Sequence, residues 1–113
     1  MNTIRQFSLS LTVGLACAAG NAFAADAGKG KTAFINNACW QCHGMVGQGG
    51  VGPQLAPDPK PFDFLSVFVR HSAGSMPPYT PTILSEDDLA DIYAYLKSMP
   101  KTADFRSIPL LNN

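Results

Sequence analysis

The sequence predicts an all-α domain, with three main helices joined by loops rich in glycine and proline. Three observations lead there. Apolar residues recur at helical spacing around 64–71 and 89–96. Glycines and prolines cluster between those segments, at 44–61 and 74–81. No run alternates in the manner of a half-buried strand, and no internal repeat is visible.

The chain has 113 residues, enough for one domain. Its first segment is expected to lie outside that domain. Residues 1–6 carry Arg5 and no acid, residues 7–19 are apolar, and Ala22-Phe23-Ala24 supplies a small-x-small cleavage pattern. This reads as a signal peptide over 1–24, with a mature chain of 89 residues beginning at Ala25 and exported to the periplasm. Two alternatives fit the segment less well. An uncleaved membrane anchor is opposed by the shortness of the apolar run and by Ser8, Ser10 and Thr12 within it. A lipoprotein modified at Cys17 is opposed by Gly14-Leu15-Ala16, because a leucine is wanted three places before the cysteine. The folded domain is assigned to 25–101 and a tail to 102–113.

The first helix is expected over about 27–37, with Ala33, Phe34 and Ile35 as its apolar contribution. Gly28 and Gly30 each weaken it by about 1 kcal/mol relative to alanine, so a glycine tolerated there suggests a second backbone packed closely against it. The loop 44–53 lacks the G-K-[ST] ending of a phosphate-binding loop and follows no strand, so a wrap past a flat group is the better account. Residues 55–61 are proline-rich and expected to be extended. The second main helix is expected over 61–71. Proline suits its first turn, Asp63 suits its positive end, and Phe64, Val67, Phe68 and His71 form its apolar stripe, widened by Leu65 and Val69. Prolines keep 72–79 out of helix. The third helix is the clearest: Ser85 is an N-cap, Glu86, Asp87 and Asp88 fill the first turn, Leu89, Ile92, Tyr93 and Leu96 face the core, and Pro100 ends it.

Between the first helix and the glycine-rich loop stands Cys39-Trp40-Gln41-Cys42-His43. C-x-x-C-H attaches a c-type haem: two thiols three positions apart reach the two vinyl groups on one porphyrin edge, and the following histidine becomes an axial ligand. A zinc site would need a second pair of Cys or His, and His71 is the only one left. A redox dithiol would need a βαβ setting that is absent. With Cys17 removed and Cys39 and Cys42 bound to one haem, no structural disulfide remains. A core of 89 residues is marginal, so the haem is expected to complete it.

The ligand opposite His43 decides between an open and a closed iron. Met45 is too near His43 in sequence to reach the far face. Met99 ends a helix beside Pro100 and reads as packing. Met76, in a proline-flanked loop 33 residues beyond His43, is the favoured distal ligand, with His71 kept as the other candidate. The mature residues hold seven Lys or Arg and eight Asp or Glu, a net charge of −1 before the haem. That balance gives no reason to expect nucleic acid or an anionic membrane as partner.

With these parts in order, the chain resembles class I c-type cytochromes over about 25–101. The resemblance rests on Gly30 and Phe34 ahead of the haem motif, Gly52-Pro53-Gln54-Leu55, Met76-Pro77, and Tyr95-Leu96-Lys97. It implies the class I cytochrome c fold around one covalent haem. It implies that Gly30 and Phe34 cross against Ile92 and Tyr95, that the Pro53 carbonyl accepts the Nδ1–H of His43, and that Leu55 packs on the haem. Three departures stand out. Phe34 precedes Cys39 by five residues rather than four. The interval from His43 to Met76 is short, implying a haem less covered at its propionate edge. No tryptophan follows the motif to hold a propionate, and Arg70 and Tyr79 are the possible substitutes, with simple solvation as the alternative.

The functional expectation is a periplasmic carrier of single electrons with a His43/Met76-ligated haem and no substrate at iron. Its partners would be a redox donor and acceptor, such as a periplasmic dehydrogenase, a membrane cytochrome complex or a terminal oxidase, and the carrier itself would be a monomer. A haem subunit permanently docked to a dehydrogenase or oxidase is the alternative, kept open by the modest charge field and the apolar tail Phe105-Arg106-Ser107-Ile108-Pro109-Leu110-Leu111. A haem sensor or peroxidase would require an open distal site.

Overall fold

In the computed structural model, residues 24–101 and 103–111 are described. The expected signal peptide, with Cys17 and the lipoprotein alternative, lies outside the described residues except for Ala24. Among the described residues four helices follow in order: α1 (Ala27–Asn36), α2 (Cys39–His43), α3 (Phe62–His71) and α4 (Glu86–Ser98). Short 3-10 turns at Phe105–Ser107 and Pro109–Leu111 end the chain. Among the described residues there is no strand, and no helix is long and apolar enough to cross a membrane. The all-α architecture expected from the sequence is the one observed, with the motif helix α2 added to the three main helices.

Asp26 starts α1. Its Oδ1 accepts the amides of Gly28 at 2.7 Å and Lys29 at 2.9 Å, satisfying donors that the first turn leaves open. These amides, Lys29 first and then Gly28, hold its carboxyl below the usual carboxylate range. The Asp26 amide in turn donates to Asp91 Oδ1 on α4 at 2.6 Å, so the cap also fixes where α1 meets α4. α4 begins on Ser85, whose Oγ accepts the Asp88 amide at 3.0 Å.

α1 and α4 cross with their backbones nearly touching at Gly30. A Cβ there would overlap the Asp91 carbonyl and stand 2.8 Å from the Ile92 nitrogen. One turn on, the Phe34 ring packs on Tyr95 with centroids 5.7 Å apart and planes tilted by 55°. Phe34, Leu84, Leu89 and Leu96 are fully buried around this crossing, each worth about 1.5–3 kcal/mol of burial. The expected pairing of Gly30 and Phe34 with Ile92 and Tyr95 is therefore present, and it accounts for the helix-weakening glycine.

α3 meets the core with part of its apolar surface. Leu65 is buried, and Phe62 and Val69 pack against the core. Phe62 meets Tyr93 edge-on at 5.3 Å. The stripe of Phe64, Val67, Phe68 and His71 is not covered by the chain's own core: Phe64 is 59% exposed, Val67 63% and Phe68 49%, and His71 is exposed with them. α3 has two apolar faces, and a helical period identifies both without ranking them. The outer rings of Phe64 and Phe68 stack at 6.3 Å, so the protein carries an aromatic surface that its own chain does not cover.

Gly30→Ala is expected to destabilise the protein by about 1–3 kcal/mol or more, because the added methyl must separate two backbones rather than displace a side chain; the midpoint of urea unfolding measures it. The Asp26 cap has a pH signature. Because its folded pKa is depressed, its contribution is complete above the unfolded Asp pKa and fades as pH falls through the lower folded value. Asp26→Asn keeps an acceptor oxygen without the charge, so it should flatten the acid side of the stability profile in urea titrations below pH 4, while Asp26→Ala should lower stability at neutral pH as well.

Candidate haem-binding site

α1 stops where the Asn37 amide donates to the Ala33 carbonyl and the Ala38 amide to that of Ile35, both at 3.0 Å. Ala38 then takes a left-handed conformation with φ of 59°. This turn absorbs the extra residue between Phe34 and Cys39, so the α1–α4 crossing keeps its register. It also starts the single-turn helix α2, which carries the whole Cys39–His43 motif.

Both cysteines are free thiols, Cys39 half-buried and Cys42 exposed. Three positions apart on a helix, they project from the same side. Burial pushes the Cys39 thiol up to about 11, with a backbone hydrogen bond pulling weakly the other way, so the group is protonated at neutral pH. His43 ends α2 and is buried, at 7% exposure.

The glycine-rich loop turns its amides inward. Gly49 N–H donates to the His43 carbonyl at 2.7 Å, and Gly52 N–H to the Cys42 carbonyl at 2.8 Å. The Leu55 and Ala56 amides both donate to the Gly47 carbonyl, at 2.8 and 2.9 Å. The loop thus wraps the end of α2 and is not a phosphate cradle. Its consequence is that the Pro53 carbonyl lies 2.8 Å from His43 Nδ1. With that contact Nδ1 carries the proton, and Nε2 is left as the ligating nitrogen. Nε2 has no hydrogen-bond partner and is not sealed from solvent. Gly52 permits this arrangement: a Cβ there would lie 2.9 Å from His43 Cε1 and 3.0 Å from Nδ1.

Leu55 is half-buried and packs against the core. Met76 is half-buried in the loop after α3. The buried Ser72 hydroxyl donates to the Met76 carbonyl at 2.8 Å, and the Tyr79 amide donates to the Val69 carbonyl at 2.9 Å. The Tyr79 hydroxyl donates to the Asn37 carbonyl at 2.9 Å, which ties the Met76 loop to the turn leading into Cys39. Burial, followed by the nearby Cys39 and Cys42 sulfurs, pushes the Tyr79 hydroxyl up, so it remains a donor. Of the other candidates, His71 and Met45 are exposed and Met99 packs against the core.

Arg70 and Tyr79 do not fit the propionate roles considered for them. The Arg70 side chain is only 9% exposed; its Nη1 donates to the Tyr79 and Leu84 carbonyls at 2.7 Å each, and Nη2 meets Glu86 Oε1 at 2.8 Å. The Tyr79 hydroxyl is engaged with Asn37. A donor turned inward onto backbone is not available to a solvent-edge carboxylate. Ser72 and Asn37 were not legible as site residues, because each acts through a backbone carbonyl whose position only the fold sets.

Two thiols on one side of a short helix, with an imidazole tied at Nδ1 and unpartnered at Nε2, fit a covalently attached haem. Exposed apolar side chains stand nearby in sequence, with Trp40 beside the cysteines and Val51, at 92% exposure, beside Gly52. Among the described residues no group of three or more His, Cys, Asp or Glu could hold a bare metal ion. Gly52→Ala is expected to push the imidazole off Pro53 at a cost of about 1–3 kcal/mol. It should lower both the yield of covalently loaded protein, read by mass, and the thermal midpoint of the loaded form.

A family model described as cytochrome C oxidase, cbb3-type, subunit III matches residues 25–96. No curated protein and no solved structure matches the chain. The fold, the haem motif and the extent of the family match agree, and the chain belongs to this family as a monohaem c-type cytochrome, with covalent haem c and electron transfer as what that membership implies.

Proposed function

We propose that the domain is a periplasmic carrier of single electrons whose haem is held between His43 and Met76. The observation that carries this reading is the His43–Pro53 contact of 2.8 Å, which commits Nδ1 and frees Nε2. Bound haem supplies the one-electron redox couple. Cys39 and Cys42 would anchor it by thioethers, and His43 would provide a ligating nitrogen, its ring held in one orientation and tautomer by donation to Pro53. Met76, in a loop pinned at Ser72 and Tyr79, provides a soft thioether that favours the reduced state and raises the potential. Two protein ligands leave no coordination position for a substrate, so the domain carries electrons and does no chemistry on a small molecule. Leu55 is assigned to the haem wall, in line with its half-buried place at the edge of the core.

Export supports the periplasmic assignment through the leader pattern at 1–24 and the family's usual place outside the cytoplasm. A second reading, a haem subunit permanently docked in an oxidase or dehydrogenase complex, draws on two observations. The matching family is described as an oxidase subunit, and α3 exposes Phe64, Val67 and Phe68 on the side away from its own core.

Met76→Ala should abolish the near-infrared sulfur-to-iron charge-transfer band of the oxidised protein and let the reduced protein take up carbon monoxide at neutral pH. A band that survives the substitution would remove Met76 as ligand. Gel filtration of the native protein at high salt separates the two readings: a free carrier elutes alone, whereas a second polypeptide that stays bound identifies the docked subunit.

A further inference from the structure

We infer that Arg70 is a positioning residue for the Met76 thioether, the clasp that closes the loop carrying it; this rests on the reading of Met76 as distal ligand. Arg70 lies in the last turn of α3, with its side chain 9% exposed. One nitrogen, Nη1, donates to two backbone carbonyls on the far side of Met76, those of Tyr79 and Leu84, at 2.7 Å each. Nε and Nη2 both donate to Glu86 Oε1 in the first turn of α4, at 3.2 and 2.8 Å. Arg70 therefore joins the end of α3, the far end of the Met76 loop and the start of α4.

The loop is closed at three further points. The Tyr79 amide donates to the Val69 carbonyl at 2.9 Å, so residues 70–78 form a loop whose ends meet. The Ser72 hydroxyl holds the Met76 carbonyl at 2.8 Å, and the Tyr79 hydroxyl holds Asn37 at 2.9 Å. Of these, Arg70 alone brings a charge. Charge-assisted donation to carbonyls is stronger than neutral donation, and losing the donor leaves both acceptors with unmet demand. A methionine ligates weakly and its loop must be held by the protein, so the clasp governs how often the thioether is in place. Glu86 is the lesser part, since its carboxylate is largely in solvent and an exposed ion pair contributes little.

The experiment uses the haem-loaded full chain as Arg70→Met, Arg70→Lys, Met76→Ala and Ile92→Val. Three quantities are followed: the near-infrared sulfur-to-iron band against temperature, helical circular dichroism against temperature, and carbon monoxide uptake by the reduced protein. In Arg70→Met, which removes both bonds to the carbonyls and the fork onto Glu86, the band is expected to fade well below the temperature at which the helices melt, with carbon monoxide uptake rising by about tenfold or more, a floor set by the worth of a single charge-assisted hydrogen bond. Arg70→Lys should recover part of both, since an ammonium reaches the carbonyls but lacks the fork to hold Glu86 as well. Ile92→Val, a core change at the α1–α4 crossing that removes no bond to the Met76 loop, should lower the melting temperature and leave the band intact up to melting.

If the band and the helices are lost together in Arg70→Met, as in Ile92→Val, Arg70 is merely structural and the inference fails. Unchanged carbon monoxide uptake overturns it equally. Should Arg70→Met not fold, the same comparison between Arg70→Lys and Ile92→Val decides. Met76→Ala separates the two levels: a band that persists there removes the ligand itself. A band lost there but unaffected by the Arg70 variants removes only the clasp.

Discussion

The close approach of α1 and α4 at Gly30 is the constraint on which the rest of the structure depends. With no side chain between the two backbones, Phe34 can sit on Tyr95 and be fully buried. That contact fixes the end of α1, and the end of α1 fixes where the Asn37–Ala38 turn launches the motif helix. On the other side of the crossing, the Tyr95 hydroxyl donates to the Met45 carbonyl at 3.1 Å, and Leu96 packs under Gly47. The two helices thus set the position of the haem motif from before and of the glycine-rich loop from behind. A crossing made wider by one methyl would loosen both.

Around this frame the site is assembled mostly by backbone. The loop 44–56 closes by amide-to-carbonyl bonds onto Gly44, Gly47, Cys42 and His43, and its glycines serve the closeness of that wrap rather than any ligand of their own. Such a design suits an imidazole that must be held in one tautomer while charge changes beside it. The loop bearing Met76 is built differently. It leans on side chains, namely Ser72, Tyr79 and Arg70, each donating to a carbonyl. The His43 side is thus held by a tight weave and the Met76 loop by a few discrete bonds, an asymmetry that makes the Met76 loop the easier one to tune.

The exposed outer face of α3 gives the molecule its remaining functional tension. Leu65, Phe62 and Val69 meet the core, while the stacked Phe64 and Phe68 rings face outward.

Much of this was written in the sequence because the chemistry involved is local. The haem motif needs its two thiols and its histidine at fixed spacing, the last helix needs Ser85 just ahead of it, and prolines exclude helix over 72–79. Even the Gly30 crossing could be read, since a glycine inside a helix asks for a neighbouring backbone. What the tertiary structure decided was everything that depends on distance in space. Periodicity could not say which of the two apolar faces of α3 turns inward, because both recur at helical spacing and only packing against α4 selects one. Composition could not assign Arg70, whose charge suited a propionate equally well until the fold brought the Tyr79 and Leu84 carbonyls to it. The residue types announced a haem, and the three-dimensional course of the backbone determined how His43 and the Met76 loop are held.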